Sequence, residues 1–141
     1  MQVLNEDKWT LCQDVSNINQ MLKIRTDIND VIGHKEYPNL VIIKHKYTTS
    51  DDVLFPELST LSYFAAFEEK CLNKLEDNES LIFVASDINE GLFQLYVYCK
   101  DDKKTIYDCI DFFKNDSNFI VEFEVKKDFS WNNYKIMMTK R

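Results

Sequence analysis

From Phe119 to Lys126 the chain sets Phe119, Val121, Phe123 and Val125 against Glu122, Glu124 and Lys126. Successive strand side chains point to opposite faces, so this segment predicts a strand with its four apolar residues facing in. Lys8 to Gln13, with Trp9 and Leu11 on one side, predicts a first strand. Gln20 to Ile28, alternating Leu22, Ile24, Thr26 with Met21, Lys23, Arg25, predicts a second. The polar stretch Asp14 to Asn19 between them predicts a hairpin. Val31 to Tyr37 reads as a loop ended by Pro38, and Asn39 to Tyr47 as a third strand.

A helical pattern then begins at Pro56 and runs to about Glu76 through Leu58, Leu61, Phe64, Ala65, Cys71, Leu72 and Leu75. Proline suits a first turn, where its missing amide would be unpaired anyway. Leu81 to Ser86 reads as a buried strand, Asp87 to Gly91 as a turn, and Leu92 to Cys99 as the returning strand. Asp101 or Asp102 caps a second helix, whose expected core face is Ile106, Cys109, Ile110 and Phe113.

Residues 39–126 therefore run strand–helix–strand twice, the order of a ferredoxin-like α+β sandwich: an antiparallel sheet with two helices on one face. Residues 1–30 add an N-terminal hairpin, 127–141 form a C-terminal extension, and 1–141 is expected to be one domain. Strand 92–99 is apolar or aromatic on both sides, with Leu92, Tyr96 and Tyr98 opposite Phe93, Leu95 and Val97. Something must cover its second face: the extra hairpin, a ligand, or a homodimer partner.

Composition sharpens this picture. A chain of 141 residues with 45% hydrophobic content can bury a real core, which excludes disorder. Two glycines and two prolines leave little room for a linker. The start has no basic segment followed by an apolar run, and no apolar run approaches a membrane span, so a cytoplasmic protein without membrane attachment is expected. The four cysteines, Cys12, Cys71, Cys99 and Cys109, show no Cys-x-x-Cys spacing and read as free thiols in a reducing compartment.

The charge is local. Residues 51–90 hold ten carboxylates and only two basic side chains, Lys70 and Lys74, within a chain whose net charge is −7. Such a surface attracts basic partners and repels nucleic acid. The basic positions Lys35 and Lys44-His45-Lys46 do not make the contiguous stripe that phosphate tracking needs. Asp51, Asp52, Glu68, Glu69, Glu76, Asp77 and Glu79 are the candidate partner-binding residues, as a complement to lysines and arginines of a basic protein.

Catalytic signatures are weak. Isolated Gly33 and Gly91 exclude Gly-rich nucleotide loops and Walker loops. His34 and His45 have no ligand spacing with cysteine, and Asp27-Ile28-Asn29-Asp30 lacks the glycine of a calcium loop, so neither metal nor cofactor is expected. His45 with Cys99 or Ser50 is the one conceivable nucleophile–base pair. Tyr96 and Tyr98 form a candidate aromatic face, which leaves a small-ligand-binding or enzymatic domain as the alternative function and a structural homodimer as a further one.

Trp9, Tyr37-Pro38, Leu54-Phe55-Pro56-Glu57, Tyr96-Val97-Tyr98 and Asp128-x-x-Trp131-x-x-Tyr134 together resemble the bacterial domain-of-unknown-function family 695. The resemblance covers most of the chain, although Asp52-Val53-Leu54 replaces the glycine typical of the family before its first long helix. It implies a ferredoxin-like α+β fold and no established activity. It also implies an architecture similar to small acidic inhibitors of ribonuclease E, which act by binding. By composition the chain looks like toxin-immunity proteins as well. The expectation is a non-enzymatic inhibitor of a basic enzyme, a nuclease toxin for example.

Overall fold

The computed structural model describes residues 9–12, 20–26, 28–50, 54–114, 116 and 119–139. Their strands are β1 (Trp9–Cys12), β2 (Gln20–Arg25), β3 (Asn39–Lys46), β4 (Leu81–Asn89), β5 (Leu92–Cys99) and β6 (Glu122–Lys127). They form one antiparallel sheet in the order β1-β2-β4-β5-β3-β6, so the fold is α+β. The expected N-terminal hairpin is present as the β1–β2 pair and extends the sheet at β4. Its connecting residues, 13–19, lie outside the described residues.

Between β3 and β4 runs a helical rod: α1 (Leu58–Phe67), a π-helical turn (Glu68–Leu72) and α2 (Asn73–Asp77). Helix α3 (Asp102–Phe113) joins β5 to β6, and α4 (Asn132–Met138) follows β6. Asp101 caps α3, its carboxylate accepting from the Lys104 amide at 3.1 Å.

The rod and α3 cover one face of the sheet. Phe64, Phe67, Cys71, Leu72, Cys109 and Phe113 pack there on Val41, Ile43, Phe93, Leu95 and Val97. The second face carries Leu22, Ile24, Leu40, Ile42, Ile82, Val84 and Tyr98 beneath Trp131, Tyr134 and Met137. Helix α4 and the short 3-10 turn Asn29–Val31 thus supply the cover that the sequence left open. The two expected helices, the rod and α3, share one face, and α4 adds cover to the other because the C-terminal segment folds back across the sheet. A homodimer is not needed to close that part of the face.

Several boundaries also differ from the sequence reading. β4 continues to Asn89, so the hairpin loop is only Glu90-Gly91, with φ of 43° and 95°. A two-residue loop with both φ positive matches the twist of the flanking strands. β6 begins at Glu122. Phe119 lies before it and stacks on Tyr63, ring centroids 3.9 Å apart, while Val125 on this edge strand is 40% exposed. In α3 it is Thr105, Cys109 and Phe113 that are buried, a clean four-residue spacing, and Ile110 is exposed. Leu58, expected on the core stripe, is 80% exposed at the first turn of α1.

Candidate functional site

The acidic residues do not all face solvent. Asp51 and Asp52 lie outside the described residues. Glu69, Asp77 and Glu79 are exposed on the outer side and exit of the rod. Glu68 is half-buried at the start of the π turn. Burial pushes its carboxyl above the usual range, and nearby Lys23 only partly offsets that.

Glu76 turns inward, which corrects its assignment as a docking residue. Its carboxylate pairs with Arg25 at 3.1 Å, with the two side chains 9% and 1% exposed. It also accepts the Phe83 amide at 2.9 Å, while the Arg25 guanidinium donates to the Phe83 carbonyl at 3.0 Å. Phe83 borders the bulge in β4, where the register with β5 shifts. A bulge interrupts ladder bonding. The ion pair satisfies both backbone groups of Phe83 there, so Glu76 and Arg25 are a structural clamp. Trp9 covers it, with the Arg25 guanidinium 5.6 Å from its ring centroid.

The aromatic pair divides as well. Tyr96 is half-buried, and its phenol is pushed up to about 12 by burial first, then by Asp87 and Glu124. Tyr98 has no exposed surface, so it is not part of an open aromatic face. Trp131 stacks on it, and its hydroxyl donates to Asp128 Oδ2 at 2.7 Å while accepting the Tyr134 amide at 3.2 Å. Burial, and then Asp128, hold the Tyr98 phenol far above its ordinary range.

Asp128 is the hub of this network. Besides Tyr98 it accepts the Asn132 amide at 2.8 Å, the Asn133 amide at 2.9 Å and the Asn133 side-chain amide at 2.9 Å. Burial alone would raise its carboxyl. The bonds from Asn133, Tyr98 and Asn132 outweigh that and hold it below the usual range. The Trp131 indole donates to the Tyr37 carbonyl at 2.9 Å, and the Asp128 amide to the Pro38 carbonyl at 2.8 Å. Tyr37-Pro38, Tyr98, Asp128, Trp131 and Tyr134, widely spaced in the chain, meet here as one buried clasp.

His45 and Cys99 cannot act together. Cys99 pairs with Asn39 and Phe93 with His45, so the two lie six residues apart along β3, roughly 20 Å. Burial pushes the Cys99 thiol up to about 11, the reverse of nucleophile activation. His45 has surroundings that its flanking lysines gave no hint of. It is 7% exposed, and its Nδ1 lies 2.9 Å from the Ile120 carbonyl. A carbonyl only accepts, so Nδ1 carries the hydrogen in this contact. His45 lines a cavity of about 220 Å³ with Lys46, Thr48, Glu57, Thr60 and Phe119.

Among the described residues, no group of three or more His, Cys, Asp or Glu is placed to hold a metal ion, and no helix is long and apolar enough to cross a membrane.

No curated protein and no solved structure matches the chain. A family model does, over residues 7–137, described as a family of unknown function. That span contains every member of the buried clasp, and the chain belongs to this family, DUF695.

Proposed function

We propose that this domain acts in the cytoplasm by binding a basic protein, as an immunity-type or regulatory inhibitor of an enzyme such as a nuclease, and not by catalysis. The observation that carries the reading is the exposure of Glu69 and Asp77 on the rod and of Glu79 at its exit, in a chain with net charge −7. Carboxylates held on an ordered element steer a basic partner and raise its association rate. The strand order β4-β5-β3-β6, with helical crossovers on the same face, is in keeping with the ferredoxin-like plan of small inhibitory proteins.

The test is association kinetics against a panel of basic nucleases at low and physiological ionic strength. The triple variant Glu69→Lys/Asp77→Lys/Glu79→Lys is expected to lose on the order of tenfold or more in association rate at low salt, with a weaker salt dependence. An unchanged rate overturns the electrostatic reading.

A second reading rests on His45. A buried imidazole that lines a cavity with Thr48, Thr60 and Glu57 suits a small polar ligand. A thermal-shift screen of polar metabolites, repeated on His45→Gln, tests it. A saturable shift that the substitution abolishes supports a ligand site. The absence of any shift removes it.

A further inference from the structure

Cys71 and Cys109 meet across the seam between the π-helical turn and α3. Cys109 has no exposed surface, and Cys71 is 8% exposed. Both pack in the same core cluster, and the Cys71 sulfur lies against the peptide that joins Asp108 to Cys109. The Cys71 thiol in turn points at the Asp108 carbonyl, 3.9 Å from its sulfur. That contact brings the Cys71 sulfur to the backbone of the residue just before Cys109.

The π turn helps to place Cys71. Its closing bond runs from the Asn73 amide to the Glu68 carbonyl, one residue wider than an α turn, and both Cys71 and Leu72 are buried within it. Cys71 also opens onto a cleft of about 390 Å³, lined with it by Lys70, Lys74, Leu75, Asp108 and Phe112. One thiol of the pair is therefore reachable from solvent and the other is sealed behind it.

We propose that Cys71 and Cys109 are a redox-active thiol pair, which hydrogen peroxide entering this cleft converts to an intramolecular disulfide. The Cys71 thiolate attacks one peroxide oxygen, and the O–O bond breaks. This leaves a sulfenic acid on Cys71 and a hydroxide that takes up a proton to become water. The Cys109 sulfur then attacks the Cys71 sulfur. The S–O bond breaks, and the departing hydroxide takes the Cys109 proton as a second water. Two thiols are oxidised and one peroxide is reduced to two waters.

The electrostatics agree with that order of events. The hydrogen bond from Cys109 holds the Cys71 thiol below its ordinary range against the opposing effect of burial, and Lys74 assists. The Cys109 thiol is pushed up by its neighbour Cys71 and by burial. Cys99 belongs to the same core cluster but is fully buried, and burial pushes its thiol up, so it is the natural control.

The experiment oxidises the reduced, folded full chain with hydrogen peroxide, alkylates the remaining thiols in denaturant and maps peptides by mass spectrometry, with a thermal melt in parallel. The expected product is a Cys71–Cys109 linked peptide that dithiothreitol reverses, with a melting temperature raised by several degrees. A crosslink restricts the unfolded chain, which accounts for that rise. Cys99→Ser should form the same link. Cys71→Ser should leave Cys109 fully alkylatable. Cys71 oxidised to a sulfinic acid with Cys109 still free overturns the proposal, as does a Cys99–Cys109 link or recovery of both thiols unreacted. If Cys71→Ser fails to fold, the peptide map of the unsubstituted chain decides alone.

Discussion

The Trp131 indole lies flat on the Tyr98 ring, with centroids 4.1 Å apart and planes 9° from parallel. Tyr98 belongs to a central strand, and Trp131 directly precedes the helix that closes the second sheet face. Trp131 reaches this position with a φ of 57°, a left-handed conformation that bulky side chains rarely adopt. The stacking, the indole bond to the Tyr37 carbonyl and complete burial hold it there.

Tyr98→Phe keeps the stacking but removes the hydroxyl that joins Asp128 to the Tyr134 amide. The expected loss is about 1–3 kcal/mol, since a buried amide loses its acceptor and Asp128 a donor. Trp131→Ala should cost about 3–5 kcal/mol through the cavity it leaves. Urea unfolding measures both, and equal losses would contradict the separate roles of ring and hydroxyl.

Glu76 and Glu68 are expected to respond in opposite directions. Glu76→Ala strands the buried Arg25 guanidinium and the Phe83 amide, at a cost of about 3–5 kcal/mol. The raised Glu68 carboxyl means that its ionised form is disfavoured by folding. Its contribution is most favourable below the unfolded carboxyl range and declines as pH rises through the folded value. Glu68→Gln should therefore be at least as stable as the unsubstituted chain at pH 7. Chemical denaturation of the two variants side by side checks this.

Asp128 links stability to acid pH. Its carboxyl is depressed in the folded state, so its contribution is complete above the unfolded value of 3.8 and is lost as pH falls through the folded value. Asp128→Asn should be less stable at neutral pH and should show a flatter decline below about pH 4. A melting series across that range reads the difference between the two curves, which should narrow with acid.

Gly91 tests the hairpin. Its φ of +95° is strained for any side chain, and an added Cβ would meet the Tyr47 carbonyl and the Thr49 methyl at 3.5 Å, ordinary contact. The penalty in Gly91→Ala is thus conformational, about 1–2 kcal/mol. Oxidation state and partner binding should not respond to it.

The strands of the central sheet were legible because local alternation carries them. Strand 92–99 was read with Phe93, Leu95 and Val97 opposite Tyr96 and Tyr98, and the first three pack under the rod while Tyr98 lies beneath Trp131. The cap at Asp101 was equally local, three residues from the amide it accepts. Helix α4 was not legible. Its seven residues are too few for a periodic signal, and Trp131 and Tyr134 acquire their roles from Tyr98 and Arg25, far away in sequence. Glu76 was misread for a similar reason. It follows a helical stripe like any surface acid, and only Arg25, 51 residues earlier, and the β4 bulge turn it inward.

Local patterning by itself determined the α+β class, the order of strands and helices as far as β6, the hairpin turn at Gly91, and an acidic segment between β3 and β5. Those features depend on neighbours within a few residues, where hydrophobic period, turn chemistry and charge act directly. The tertiary structure alone decided which carboxylates remain in water, which tyrosine is accessible, what covers the second face, and that Cys71 lies against α3 beside Cys109. Each of these depends on pairs brought together by sheet order and register, and the free energy of burying an ion pair or a ring is set by that packing, not by the sequence around it.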